Sequence, residues 1–179
     1  KSIDKNNDLI YEIVGSYRRE AKNSGDIDVL CTTKNKNTKL FNNIIEELES
    51  NKYIMETLAK GEKKFMGICK LPRHKTNRRL DMIYTDYSNY AFTLLYFTGS
   101  GQFNIEMRNH ALSLGYSLNE YGLKKNGKFV DNNGKKFDTE EITRSLDDIG
   151  PYQNVFLQEM TEAGLLKLQA ERLIFYCTS

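Results

Sequence analysis

The sequence predicts an α+β fold: a mixed sheet with helices in the first half, followed by a smaller α+β unit. Three observations lead there. Short β-branched and apolar runs at 11–14, 27–30, 53–59, 63–71 and 79–84 have the length and composition of strands. Between them, Leu40, Phe41, Ile44, Ile45 and Leu48 recur at helical spacing. Beyond Tyr87, two apolar helical stretches precede a hairpin signal. At 179 residues, the chain can form one or two small domains with a real core.

In chain order, the strand at 11–14 runs into Gly15 and Ser16. Tyr17 to Lys22 is expected to open a short helix before Asn23-Ser24-Gly25 turns the chain back. Asp26 and Asp28 then enter a strand, and the helix at 40–50 follows the polar loop Lys34-Asn-Lys-Asn-Thr. Lys60-Gly61-Glu62 is a short glycine turn joining the strands at 53–59 and 63–71, and 72–77 is a loop before the strand at 79–84. In the second unit, Ala91 to Tyr96 suits a buried helix ending near Gly99, and Phe103 to Leu114 a second one stopped by Gly115. Asn126-Gly127, between stretches at 116–123 and 128–130, is a hairpin turn. Asp138 with Glu141 suits the N-cap of a helix to Ile149, with Gly150 at its end.

The chemistry concentrates between Gly15 and Asp28. Residues i and i+2 of a strand point to one face, so the carboxylates of Asp26 and Asp28 project together. Like charges so close call for a positive partner, and a hard divalent cation such as Mg²⁺ suits oxygen ligands. Asp-x-Asp alone is more often an ordinary polar strand end. The preceding residues favour the site: a glycine lets a phosphate approach the backbone, a serine adds a hydroxyl donor, and Arg19 can hold a pair of phosphate oxygens. This stretch can hold a triphosphate beside two metal ligands. Asp81, between Leu80 and Met82-Ile83, faces either solvent or a site.

Charge and cysteine usage bound the classes. The formal net charge is only +2, yet between residues 60 and 79 Lys60, Lys63, Lys64, Lys70, Arg73, Lys75, Arg78 and Arg79 stand against the single acid Glu62. Such a stretch suits a phosphate backbone, or is a solvated face. Cys31, Cys69 and Cys177 are scattered and odd in number, and with only His74 and His110 beside them they indicate neither a disulfide framework nor a zinc site. With no signal peptide and no apolar run of membrane-spanning length, an intracellular, nuclear or cytoplasmic, non-secreted protein without a membrane partner is expected.

Gly15-Ser-x-Arg-Arg followed by Gly25-Asp-x-Asp-Val-Leu resembles the palm signature of the family X DNA polymerases, within the nucleotidyltransferase superfamily. The resemblance continues through 56–72, Arg78-Arg-Leu-Asp81, Tyr96-Phe-Thr-Gly-Ser100, Phe103-Asn104, Met107-Arg108 and Leu118-Asn-Glu-Tyr121, and covers roughly residues 10 to 150. It implies a nucleotidyltransferase-fold palm over residues 1–86, N-terminally incomplete, and a small α+β thumb over 87–150. Residues 151–179 read as a tail unlike the family. With Lys1 first and fourteen residues ahead of Gly15, the fingers and lyase regions that such polymerases carry upstream are expected to be missing, so lyase activity is not predicted.

The resemblance further implies a template-directed DNA polymerase that adds deoxynucleotides from dNTP to a primer 3′-hydroxyl with two Mg²⁺ ions, Mn²⁺ being able to substitute. Gap filling in DNA repair, as in base excision repair, is the expected setting. Asp26, Asp28 and Asp81 match the metal ligands, Asp81 being also the candidate proton acceptor, and Arg79 matches the arginine that positions Asp81. Gly15, Ser16, Arg19 and Gly25 match the triphosphate site. Tyr96 and Phe97 match the nucleotide pocket, with Tyr96 by the primer minor groove; Asn104 matches a contact to the minor-groove edge of the incoming base, and Arg108 a contact on the template side. The peptide Gly99–Ser100 is expected to be cis. Glu120 and Tyr121 match residues of an opening and closing switch whose arginine, two residues beyond the third aspartate, is here Ile83, so that switch is not carried over. Gly101 and Ile105 replace an aspartate and a lysine of the beta-type pocket. Template-independent terminal transfer and a catalytically silent DNA-binding piece are the alternatives.

Overall fold

The computed structural model describes residues 8–130, which fall into two compact units, 8–17 with 22–87 and 18–21 with 88–130. The expected helix at 138–149, the tail from 151 and residues 1–7 lie outside the described residues.

The first unit is a five-stranded mixed sheet. Its strands are β1 (Leu9–Ile13), β2 (Asp26–Thr33), β3 (Ile54–Lys60), β4 (Lys64–Cys69) and β5 (Arg78–Tyr84), in the spatial order β1-β2-β5-β4-β3. Only the β2–β5 pair is parallel. A parallel pair needs a long connection, and the chain between β2 and β5 supplies it with α2 (Thr38–Ser50) and the β3–β4 hairpin.

One sheet face is apolar because alternate residues of each strand point to it. Cys31 of β2, Phe65 and Cys69 of β4, and Leu80, Met82 and Tyr84 of β5 form one cluster with Phe41 and Ile45 of α2. The helical stripe read from the sequence is thus the packing face of α2, with Leu40, Phe41 and Ile45 buried. The Tyr84 hydroxyl is satisfied inside this core at 2.7 Å from Thr33 Oγ1, which also accepts the Asn37 backbone N–H at 2.7 Å.

The second unit contains α3 (Tyr90–Thr98), α4 (Gly101–Ser113) and a three-stranded antiparallel sheet of β6 (Ser117–Asn119), β7 (Gly122–Lys125) and β8 (Lys128–Phe129). Helix α3 is buried over most of its length, whereas α4 buries the stripe Phe103, Met107 and Ala111. Ser100 caps α4 by accepting the Phe103 N–H at 3.3 Å. Asn126 and Gly127 form the two-residue β7–β8 turn with positive φ at both, as the sequence predicts.

Two local expectations change. The helix at the phosphate motif is a single turn, α1 (Gly15–Arg18), not a segment over 17–22; Glu20 adopts φ +55°, outside the right-handed helical region, and ends it. The stretch 116–123 is two strands, because the Asn119 side-chain oxygen accepts the N–H groups of Tyr121 at 2.9 Å and Gly122 at 3.1 Å and turns the chain at Glu120 and Tyr121.

Candidate active site

In the first unit the face of the sheet opposite α2 carries the acids. Asp26 and Asp28 are alternate residues of β2, and β5 lies beside it in a register that sets Asp28 opposite Asp81 and Asp26 opposite Arg79. Parallel register and pleat together therefore bring Asp81, distant in sequence, to the face of Asp26 and Asp28. Arg79 Nη2 donates to Asp26 Oδ2 at 2.5 Å, and its Nε lies 3.2 Å from Asp81 Oδ1. The side chain of Asp81 is 15% exposed, and its buried Oδ1 has an ion-pair neighbour in Arg79 but no aligned hydrogen bond.

Gly15 is buried at the start of α1 with φ +63°, and a Cβ built on it would come within 2.2 Å of Asp28 Oδ2. Only glycine lets the Asp28 carboxylate rest against the backbone here. Strand and turn are tied by the Val14 N–H donating to the Asp28 carbonyl at 2.8 Å. The Ser16 hydroxyl lies 2.8 Å from that of Ser24, a partner the sequence does not advertise. Gly25 immediately precedes β2, with open space where a side chain would be.

These residues fit a hard divalent cation in donor chemistry: the ligands are carboxylates, and one buried oxygen lacks a hydrogen bond. Among the described residues, however, no group of three or more His, Cys, Asp or Glu is arranged to hold a metal ion. Two of the three acids, Asp26 and Asp81, are instead paired with the Arg79 guanidinium.

The second unit holds the remaining expected residues. Tyr96 and Phe97 lie near the end of α3 with rings edge to face at 5.0 Å, and Arg108 of α4 stacks over Tyr96 at 5.0 Å from the ring centroid. Asn104 Nδ2 donates to the Tyr96 carbonyl at 2.8 Å. Glu120 lies 3.5 Å from Arg108, and Tyr121 next to it is 55% exposed. Tyr96, Asn104, Arg108 and Asn119 line one small cleft with apolar neighbours from α3 and α4. The Gly99–Ser100 peptide is cis, as the resemblance implies.

Arg19 belongs to this second unit, whereas Gly15, Ser16 and Gly25 belong to the first. Its Nη1 donates to the Thr98 carbonyl at 2.5 Å, and Arg18 Nη1 donates to Thr98 Oγ1 at 3.1 Å. Gly99, at φ +69°, would place a Cβ 3.1 Å from Arg19 Nη1, so the glycine keeps that approach open. Sequence reasoning missed Thr98, Ser24 and Asn119. For Asn119, the signal was its place two and three residues before the N–H groups it caps.

Residues 1–87 match the family model described as DNA polymerase beta palm, and residues 93–176 the one described as DNA polymerase beta thumb. The chain belongs to the family X DNA polymerases. Its sheet unit is palm of the beta type and its helical unit thumb, in an α+β fold. The thumb match extends to residue 176 and so takes in most of the tail that reads as unlike the family. DNA polymerase lambda of Rattus norvegicus is 37% identical over 123 residues, 64% of this chain and 22% of that protein. DNA polymerase lambda of Arabidopsis thaliana is 30% identical over 121 residues, 61% and 23% of the respective lengths. The repair DNA polymerase X of African swine fever virus is 29% identical over 117 residues, 65% of each chain. The chain thus spans about a fifth to two thirds of the curated relatives it matches. Among the described residues no helix is long and apolar enough to cross a membrane.

Proposed function

We propose that this family X palm and thumb carry out template-directed DNA synthesis, transferring a nucleotidyl group from a dNTP to a primer 3′-hydroxyl, in gap filling during DNA repair such as base excision repair. One observation carries the reading: the β2–β5 register that sets Asp28 opposite Asp81 and leaves Asp26 on the same face, with a glycine fitted against Asp28.

In this reading Asp26, Asp28 and Asp81 hold two Mg²⁺ ions, for which Mn²⁺ can substitute. When bound, such ions neutralise phosphate charge and activate the attacking hydroxyl. Asp81 accepts the proton of the primer hydroxyl as its oxygen bonds to the α-phosphorus and the bond to the departing pyrophosphate breaks. Arg79 orients Asp81, and its hold on Asp26 must loosen as that carboxylate takes up a new partner. Gly15, Ser16 and Gly25 of the first unit offer a close backbone approach and a hydroxyl to the triphosphate; Arg19 is the further triphosphate residue that the family resemblance implies. On the thumb, Tyr96 and Phe97 line the nucleotide pocket beside the turn at Gly99. Asn104 reads the minor-groove edge of the incoming base, and Arg108, with Glu120 and Tyr121 beside it, meets the template side. Minor-groove acceptors are shared among base pairs, so these contacts check pair geometry rather than name a base. Gapped or primer–template DNA and dNTPs are the partners, in an intracellular compartment that holds them. The viral relative, named a repair polymerase, supports the repair setting.

The test is extension of a primer on one-nucleotide-gapped DNA with Mg²⁺ and each of the four dNTPs, beside Asp81→Ala. Template-matched insertion that Asp81→Ala loses, by a factor of about a thousand or more, is the expected result. Insertion without regard to the template strand would replace the reading with terminal transfer. A folded chain that binds DNA and inserts nothing would leave only a DNA-binding role.

A further inference from the structure

Thr93 and Asn119 take no part in the chemistry above, yet both hold the turn that carries Glu120. Thr93 is 3% exposed on α3, and its hydroxyl lies 2.9 Å from the carbonyl of Asn89 and 2.9 Å from that of Glu120. The first contact is the ordinary bond of a helical threonine to the residue four before it. The second reaches across twenty-seven residues to a different element. A core position that needed only shape would be served equally by valine; the single hydrogen of this hydroxyl is shared between the carbonyls of Asn89 and Glu120. From the other side, Asn119 Oδ1 accepts the N–H groups of Tyr121 and Gly122, so the peptide that follows the Glu120 side chain is held by its oxygen and by its N–H.

Glu120 in turn faces Arg108. Their separation of 3.5 Å, with side chains 33% and 39% exposed, makes a weak ion pair if both partners are mobile. A weak pair orients its arginine only when the acceptor stands still, and here the peptide next to the acceptor side chain is held at both its oxygen and its N–H. Arg108 Cζ is also 5.0 Å from the Tyr96 ring centroid, so the route from Thr93 through Glu120 ends at a guanidinium over an aromatic residue of the cleft.

We propose that Thr93, with Asn119, is a positioning residue that holds Arg108 over Tyr96 by way of the Glu120 turn. The catalytic meaning of that placement rests on the reading in which Arg108 meets the template; the placement itself does not. Thr93→Val keeps the shape and removes the hydroxyl, and Thr93→Ser keeps the hydroxyl.

The test uses the full chain labelled with ¹⁵N-arginine, the Arg108 Nε–Hε resonance being assigned by its loss in Arg108→Lys. Glu120→Gln and Thr93→Val are both expected to move that resonance toward the position of a solvent-exposed arginine, while Thr93→Ser leaves it in place. Should Thr93→Val not fold, Asn119→Ala takes its part and is expected to move the resonance likewise. An unmoved resonance in the folded Thr93 or Asn119 variant, or in Glu120→Gln, overturns the proposal. Insertion assays separate it from the preceding reading. If Arg108→Ala inserts matched and mismatched nucleotides as the parent does, the template-side role of Arg108 falls while the resonance still decides the role of Thr93. If Arg108→Ala alters insertion, Thr93→Val is expected to alter it in the same direction and by a smaller factor, with Thr93→Ser restoring it.

Discussion

Gly15 and Asp28 show how little room single residues leave in the palm. The carboxylate rests where any side chain at position 15 would be, so a motif read from the sequence as a phosphate approach is equally a seat for an acid. Cys31 shows the opposite extreme, a reactive group made inert by its surroundings. Burial between sheet and α2 pushes its thiol from the ordinary 9.0 up to about 12. Burial also raises the Cys69 thiol. For Cys31 the sign follows directly: the unfolded chain releases this proton above about pH 9, whereas the folded chain keeps it to about pH 12. The stabilisation is therefore complete below that window and is lost as pH rises through it. The expected outcome is that iodoacetamide at pH 8 leaves Cys31 unmodified in the folded chain and alkylates it in urea, as read by peptide mass spectrometry. Rapid labelling of the folded chain would refute the buried placement.

Among the elements, α2 has the clearest task, because it packs on the apolar face whose other side bears the acids. Phe41 is fully buried, with its ring 5.9 Å from that of Tyr84, and Tyr84 closes β5, the strand that carries Arg79 and Asp81. Removing the ring leaves a cavity under that strand, so Phe41→Ala is expected to cost about 3–5 kcal/mol. Urea unfolding with an unchanged slope checks this, and a loss below about 1 kcal/mol would mean that the helix does not pack as described. The apolar stripe of α2 was legible because its period is that of a helix and its partner is a sheet face of period two. The one-turn α1 and the break between β6 and β7 were not, because Glu20 at positive φ and an asparagine side chain capping two N–H groups leave no periodic trace.

At the scale of the whole molecule, a net charge of +2 conceals a local surplus. Of the eight basic residues between 60 and 79, Lys60 pairs with Glu49, Lys63 with Asp86, and Arg79 with Asp26 and Asp81. Lys64, Lys70, Arg73, Lys75 and Arg78 have no ion-pair partner among the described residues. If these five neutralise roughly five phosphates, log affinity for duplex DNA falls against log salt with a slope of about −4.5. That is a loss of roughly 500-fold between about 50 and 200 mM salt, which fluorescence anisotropy measures. A slope near zero would remove this stretch from the DNA interface.

The sequence alone determined the strands and helices with clean periodicity, the family, through Gly15-Ser-x-Arg-Arg, Asp26-x-Asp28 and Tyr96-Phe-Thr-Gly-Ser100, and the candidate acids, because residue type, local spacing and motif order are properties of the chain itself. Tertiary structure decided which residues meet. The parallel β2–β5 register placed Asp81 opposite Asp28 across fifty-three residues, Arg79 took up two of the three acids, and Thr93 reached the carbonyl of Glu120. Such partnerships follow from pairing and packing among distant segments, which no local pattern encodes.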